Sequence, residues 1–174
     1  VKKEHAEYRE NLQALRKEEL QARETLSNLK KTISETARLL KTSNIPGIPS
    51  HIQEMLENAH HHIQETVNQL NELPLNMEEA GAHLKQAEDI VNRASRESEE
   101  LVEQVILIEK IIQFGNRFRS QNHILSEQLK EAERRFYEYD YSEAYEIAAA
   151  AVEKAAPGAV QKIESQKTKE HQYQ

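Results

Sequence analysis

From Tyr8 onward, apolar residues recur at alternating intervals of four and three: Tyr8, Leu12, Leu15, Ala22, Leu26, Leu29, Ile33 and Leu40, with Glu19 and Thr36 at the two polar steps of the same series. That spacing lines one face of an α-helix and predicts a long first helix with a narrow buried seam. The segment Asn44-Ile-Pro-Gly-Ile-Pro-Ser50 follows. Proline fixes φ and has no N–H to donate, so two prolines and a glycine within seven residues end the helix and reverse the chain. Ser50 is a fitting N-cap, and Ile52, Leu56, Ala59, Ile63, Thr66, Leu70 and Leu73 repeat the four-three spacing until Pro74 interrupts it.

Asn76 offers a cap for a third helix, with Glu78 and Glu79 in the first turn, where carboxylates suit the positive end of the helix dipole. Its seam runs Met77, Ala80, Leu84, Ala87, Val91, Ala94, Ser98, Leu101, Val105, Ile108, Ile112, Gly115. Strict continuation would bury Arg119 and Asn122, whereas the apolar residues beyond (Phe118, Leu125, Leu129, Ala132, Phe136) sit in a shifted phase. A helix survives such a slip, so one helix is expected from Met77 to Tyr139, with a break near Gly115 as the alternative. Asp140-Tyr141-Ser142 closes it and caps a small-faced helix through Ala144, Ala148, Ala149, Ala151, Val152 and Ala155, which ends at Pro157-Gly158 and makes a final hairpin.

These elements predict an all-α fold: an elongated, spectrin-like antiparallel triple-helical bundle whose long third helix is shared with a C-terminal helical hairpin. The expected division is a three-helix repeat over 1–115, a partial repeat or hairpin over 116–164, and a polar, frayed tail over 165–174. Two apolar stretches, Tyr8 to Leu15 and about Leu101 to Ile112, find no partner in this arrangement. An antiparallel homodimer is the expected cover for them.

Composition sharpens this picture in three places. The chain of 174 residues is 37% hydrophobic and 30% charged, which suits thin helical seams better than one thick core. The net charge of −7 conceals a first helix with ten Lys/Arg against seven Glu over residues 1–43, but the surplus is interleaved with Glu and forms no basic face for nucleic acid. No apolar run approaches the roughly 20 residues of a membrane-spanning helix. The start at Val1, without Met or a signal-like segment, points to a piece of a longer protein, and any membrane anchor would lie outside it. The absence of cysteine removes disulfide and thiolate chemistry.

Little in the chain suggests catalysis or a cofactor. His60-His61-His62 lies near Glu57 and Glu65, but successive helical side chains point about 100° apart and cannot converge on one ion, so a solvated face is the better reading. No Gly-rich phosphate loop, nucleophile elbow or His-Glu-x-x-His occurs. The chain is therefore expected to be no enzyme, with no metal and no cofactor. One segment concentrates unusual residues at the register slip: Gln113, Phe114, Gly115, Asn116, Arg117, Phe118 and Arg119. It reads equally as a joint between bundles, with aromatics plugging the seam, or as a protein-docking patch of arginine, aromatic and amide side chains.

Gln113 to Arg119, followed by Ala132-Glu-Arg-Arg-Phe-Tyr-Glu-Tyr-Asp-Tyr-Ser-Glu-Ala-Tyr-Glu-Ile-Ala148 and then Pro157-Gly-Ala, resembles the C-terminal end of the EzrA family of septation ring regulators in Gram-positive bacteria. The resemblance implies an N-terminal transmembrane helix followed by cytoplasmic spectrin-like repeats. It also implies a placement at the cytoplasmic face of the cell membrane, concentrated at the division septum. The partners it implies are the tubulin-like protein FtsZ, whose ring assembly the family restrains, and other division or cell-wall synthesis proteins. It further ties a Gln-Asn-Arg patch, falling on Gln113, Asn116, Arg117 and their neighbours, to mid-cell placement. The rival readings are a purely structural spacer and a tetratricopeptide-like adaptor over Leu125 to Pro157, given Phe136, Tyr141, Ala144 and Pro157. The adaptor lacks the roughly 34-residue repetition of that class. A metal-dependent four-helix enzyme ranks last.

Overall fold

The computed structural model describes residues 1–171, with side chains through residue 166, and those residues are all-helical with no strand. In chain order they form α1 (Lys2–Thr42), α2 (Ser50–Asn71), α3 (Met77–Gly115), a single 3-10 turn (Asn116–Phe118), α4 (His123–Tyr137), α5 (Tyr141–Ala155) and α6 (Ala159–His171). They group into two compact units, one of residues 1–39 and 50–98, the other of 40–49 and 99–174. The division expected after residue 115 thus falls inside the second unit. Helix α6 also runs through much of the stretch expected to be a frayed tail, and the last part of that stretch, 172–174, lies outside the described residues.

The first unit is a three-helix bundle. Ala22, Leu26, Leu29 and Ile33 of α1 bury against Ala59, Ile63 and Leu70 of α2 and Ala80, Ala87, Val91 and Ala94 of α3. Burying each such Leu or Ile contributes about 1.5–3 kcal/mol, which holds together helices whose exposed faces are largely polar. Short connections force neighbouring helices to run antiparallel, and the Arg23 guanidinium of α1 accordingly donates to the Leu70 carbonyl at the end of α2 (2.9 Å). Asn76 caps α3 by accepting from the Glu79 N–H at 3.2 Å. Thr36 and Thr66 occupy seam positions because their hydroxyls donate back to the carbonyls of Thr32 and His62, which satisfies them inside the bundle. Leu73, expected in the α2 seam, is instead 94% exposed, since α2 ends at Asn71 before the seam reaches it.

The second unit corrects the expected long third helix. Helix α3 stops at Gly115, and after the 3-10 turn Asn122 adopts an extended conformation (φ −134°, ψ 99°) and caps α4 by accepting from the Leu125 N–H at 3.1 Å. In an unbroken helix Gly115 and Leu129 would stand about 21 Å apart. They touch instead, because a Cβ on Gly115 would lie 2.8 Å from Leu129 Cδ1 and 3.1 Å from Val152 Cγ2. The shifted apolar phase therefore marks a chain reversal and no mere slip. Ile111, Leu125, Leu129, Ala132, Ala148, Ala151, Val152, Ala159 and Ile163 form the core that results.

One of the two stretches expected to lack a partner is buried within the chain. Leu101, Val105 and Ile108 are buried, and Ile111 belongs to the second core, with Leu107 and Ile112 packed against it. Tyr8, Leu12 and Leu15 remain exposed, as expected. Helix α4 ends in a motif in which the Asp140 N–H donates to the Arg135 carbonyl and the Tyr139 N–H to that of Phe136. Tyr139 takes the left-handed position (φ 66°) where glycine is usual. Asp140 then caps α5 through the Glu143 N–H.

Candidate functional site

The reversal after α3 brings all seven candidate residues, Gln113 to Arg119, to one end of the second unit and sorts them into two groups. Helical φ/ψ continue from Gly115 (φ −63°, ψ −28°) through the 3-10 turn to Arg119 (φ −59°, ψ −41°), so residues three and four apart share a face. Gln113, Asn116 and Arg117 stand at such spacing and are exposed. Phe114, Gly115, Phe118 and Arg119 turn inward.

The inward group builds the turn. Gly115 is buried against Leu129 and Val152, a closeness only a residue without Cβ permits. Half-buried Phe114 and Phe118 pack on the second core, their rings 5.7 Å apart and tilted by 52°. The Arg119 guanidinium donates to Glu133 Oε1 at 2.6 Å, joining the turn to the middle of α4. Its Nε is buried without a hydrogen-bond partner.

The outward group does little for the fold. Arg117 is exposed and lies with its guanidinium carbon 5.1 Å from the centroid of the Phe114 ring, a cation–π arrangement. The 3-10 turn is closed through its backbone, the Arg119 N–H donating to the Asn116 carbonyl at 3.4 Å. The site is a patch of hydrogen-bonding groups on a rigid turn, with no acid–base pair or nucleophile among its residues. Chain pattern alone did not tie Asn122, Glu133, Leu129 or Val152 to the turn they make possible. The available signal was Asn122 standing directly before an apolar-periodic run, the usual mark of a helix start.

Of the His60-His61-His62 run, His60 and His61 are exposed and His62 is half-buried, its Nδ1 buried without a hydrogen-bond partner. His61 and His62 meet edge to face at 5.6 Å. Among the described residues no three His, Cys, Asp or Glu side chains are placed to hold a metal ion, and no helix is long and apolar enough to cross a membrane.

Residues 1–167 match the family model described as septation ring formation regulator, EzrA. The chain belongs to the EzrA family. It is 95% identical over 165 residues to the septation ring formation regulator EzrA of Bacillus subtilis (strain 168), covering 95% of this chain and 29% of that protein. Identity to the Bacillus velezensis EzrA is 71% over 165 residues (95% of this chain, 29% of the relative), and to the Listeria welshimeri EzrA 35% over 162 residues (92% and 28%). A solved structure described as the cytoplasmic domain of bacterial cell division protein EzrA superposes with a TM-score of 0.70 at 95% identity, covering 95% of this chain and 32% of that one. The chain thus spans less than a third of the EzrA relatives it matches. The EzrA family's description names a regulator of septation ring formation and no catalysed reaction.

Proposed function

We propose that this chain is a non-catalytic docking module of a cell-division regulator, which presents Gln113, Asn116 and Arg117 to division proteins and thereby helps restrain assembly of the FtsZ ring. Its place of action in this reading is the cytoplasmic face of the cell membrane at the division septum, with cell-wall synthesis proteins as further partners. Family membership supports the division role. The observation that carries the docking role is the sorting of the seven residues: four are committed to the turn, while three polar side chains on one face stay exposed. Exposed polar side chains of this kind contribute little to stability, typically within about 0.5 kcal/mol, so their grouping suits recognition better than folding.

The test is placement in dividing cells of a full-length protein carrying Asn116→Ala and Arg117→Ala, as a fluorescent fusion. The docking reading expects septal enrichment to fall while protein level and helicity stay at the unsubstituted values. Unchanged septal enrichment would leave the segment as a joint alone. The spacer reading gains support only from Phe114, Gly115, Phe118 and Arg119, the residues that build the turn.

A further inference from the structure

We infer that the patch receives an acidic peptide segment, with a carboxylate of the partner seated on the Arg117 fork; this rests on the docking reading above and names the chemistry it would recognise. Two arginines stand two residues apart in the turn, and their surroundings differ. Arg119 is half-buried and already holds Glu133 at 2.6 Å, so its charge is neutralised within the fold. Arg117 is exposed, is stacked on the Phe114 ring at 5.1 Å, and has no carboxylate in ion-pair range among the described residues. On α4, Lys130 is engaged by Glu127 at 2.9 Å. Arg117 therefore stands on the exposed face of the turn as a positive group with no carboxylate partner among the described residues.

The form of that group selects its ligand. Guanidinium is planar and carries its N–H donors in a fixed fork that matches a carboxylate in a two-pronged contact, and stacking on an aromatic ring removes much of the entropy that such a contact would otherwise cost. Gln113 and Asn116 share its face and each bring an amide donor and acceptor, suited to the backbone of an extended segment on either side of the carboxylate. The overall net charge of −7 opposes acidic ligands only at long range. Screening at physiological salt acts over about 8 Å, so the local guanidinium decides. Arg119 serves as a positioning residue, holding the turn against α4 so that Arg117 keeps its place on the ring.

The test is a fluorescence-anisotropy titration at physiological salt with three short fluorescein-labelled peptides: one alternating Glu and Leu, one with every Glu replaced by Gln, and one with every Glu replaced by phosphoserine. The acidic peptide is expected to bind and the amide peptide not. Arg117→Ala should weaken binding about tenfold or more, the equivalent of losing a charge-assisted hydrogen-bonded pair. Arg117→Lys should recover only part of it, and Arg93→Ala, an equal charge change on the other unit, should leave binding unchanged. Equal binding of acidic and amide peptides, no binding of the acidic peptide, or an unaffected Arg117→Ala variant would each overturn the inference. Binding of the phosphoserine peptide more than about tenfold tighter than the acidic one would overturn the choice of carboxylate. If the acidic peptide fails while the Asn116→Ala/Arg117→Ala protein still loses septal placement, the docking reading stands and only the ligand chemistry falls.

Discussion

The hydroxyl of Tyr141 donates a hydrogen bond to the carbonyl oxygen of Gly47 at 2.7 Å and accepts one from the Gly47 N–H at 3.2 Å, tying the start of α5 to the turn between α1 and α2. One side chain thus satisfies both polar groups of a backbone position inside a proline-bounded turn, where no helix or strand could. Burial pushes the Tyr141 hydroxyl above its ordinary pKa, partly offset by the bond to Gly47, so it stays protonated and able to donate across the physiological range.

Tyr141→Phe should therefore lower stability by about 1–3 kcal/mol, since it strands both Gly47 groups while keeping the ring. Urea unfolding followed by circular dichroism checks this, with a lowered midpoint and an unchanged slope expected.

Tyr139 lies over the same glycine: a Cβ on Gly47 would fall 2.3–2.6 Å from three atoms of the Tyr139 ring. Gly47→Ala should displace that ring and destabilise the protein, yet be close to neutral when Tyr139 is already Gly, which also relieves the left-handed backbone at that position. A double-mutant cycle should give a coupling of at least about 0.5 kcal/mol. Simple additivity would mean that the two residues do not share this contact.

At Gly115 two effects oppose each other. Alanine would gain about 1 kcal/mol of helix propensity, while its methyl group would press into Leu129 and Val152, an overpacking that costs about 1–3 kcal/mol. The contact at 2.8 Å decides for the second. Gly115→Ala should lower the melting temperature, and Leu129→Ala, which empties a fully buried site, should cost about 2–5 kcal/mol.

Tyr145 hydrogen-bonds the Glu164 carboxylate across α5 and α6, and that bond, aided by burial, pushes its pKa up to about 12 from an ordinary 10.0. A raised folded-state pKa means that the proton is held more tightly in the native protein. The contribution to stability is complete below pH 10 and is lost as pH rises towards 12. Tyr145→Phe should flatten the decline in stability across that window, and absorbance titration of tyrosinate should lose its step near pH 12.

The seams of α1 from Ala22 on, of α2 to Leu70 and of the first half of α3 were legible because a narrow bundle buries one heptad stripe per helix, and the residues at those steps are buried or half-buried. Residues 113–119 were legible as an anomaly for a related reason: Arg119 and Asn122 fall where a continued seam demands apolar side chains. What stayed hidden was the direction of the chain beyond them. Periodicity is blind to whether a phase shift is absorbed within a helix or released as a reversal. Proline was absent there, and a lone glycine is tolerated in a helix. The decision rested on Gly115 meeting Leu129 and Val152, contacts between residues far apart in sequence. For the same reason the burial of Leu101 to Ile111 was missed, while the exposure of Tyr8, Leu12 and Leu15 was not.

Docking through the outward face of the turn is tested most directly by co-sedimentation of FtsZ polymers with this chain, alongside an Asn116→Ala/Arg117→Ala variant of matched helicity and melting temperature. The unsubstituted protein should pellet with the polymer or reduce its amount, and the variant should do neither. Equal behaviour of the two folded proteins would contradict a docking role for Asn116 and Arg117 towards this partner.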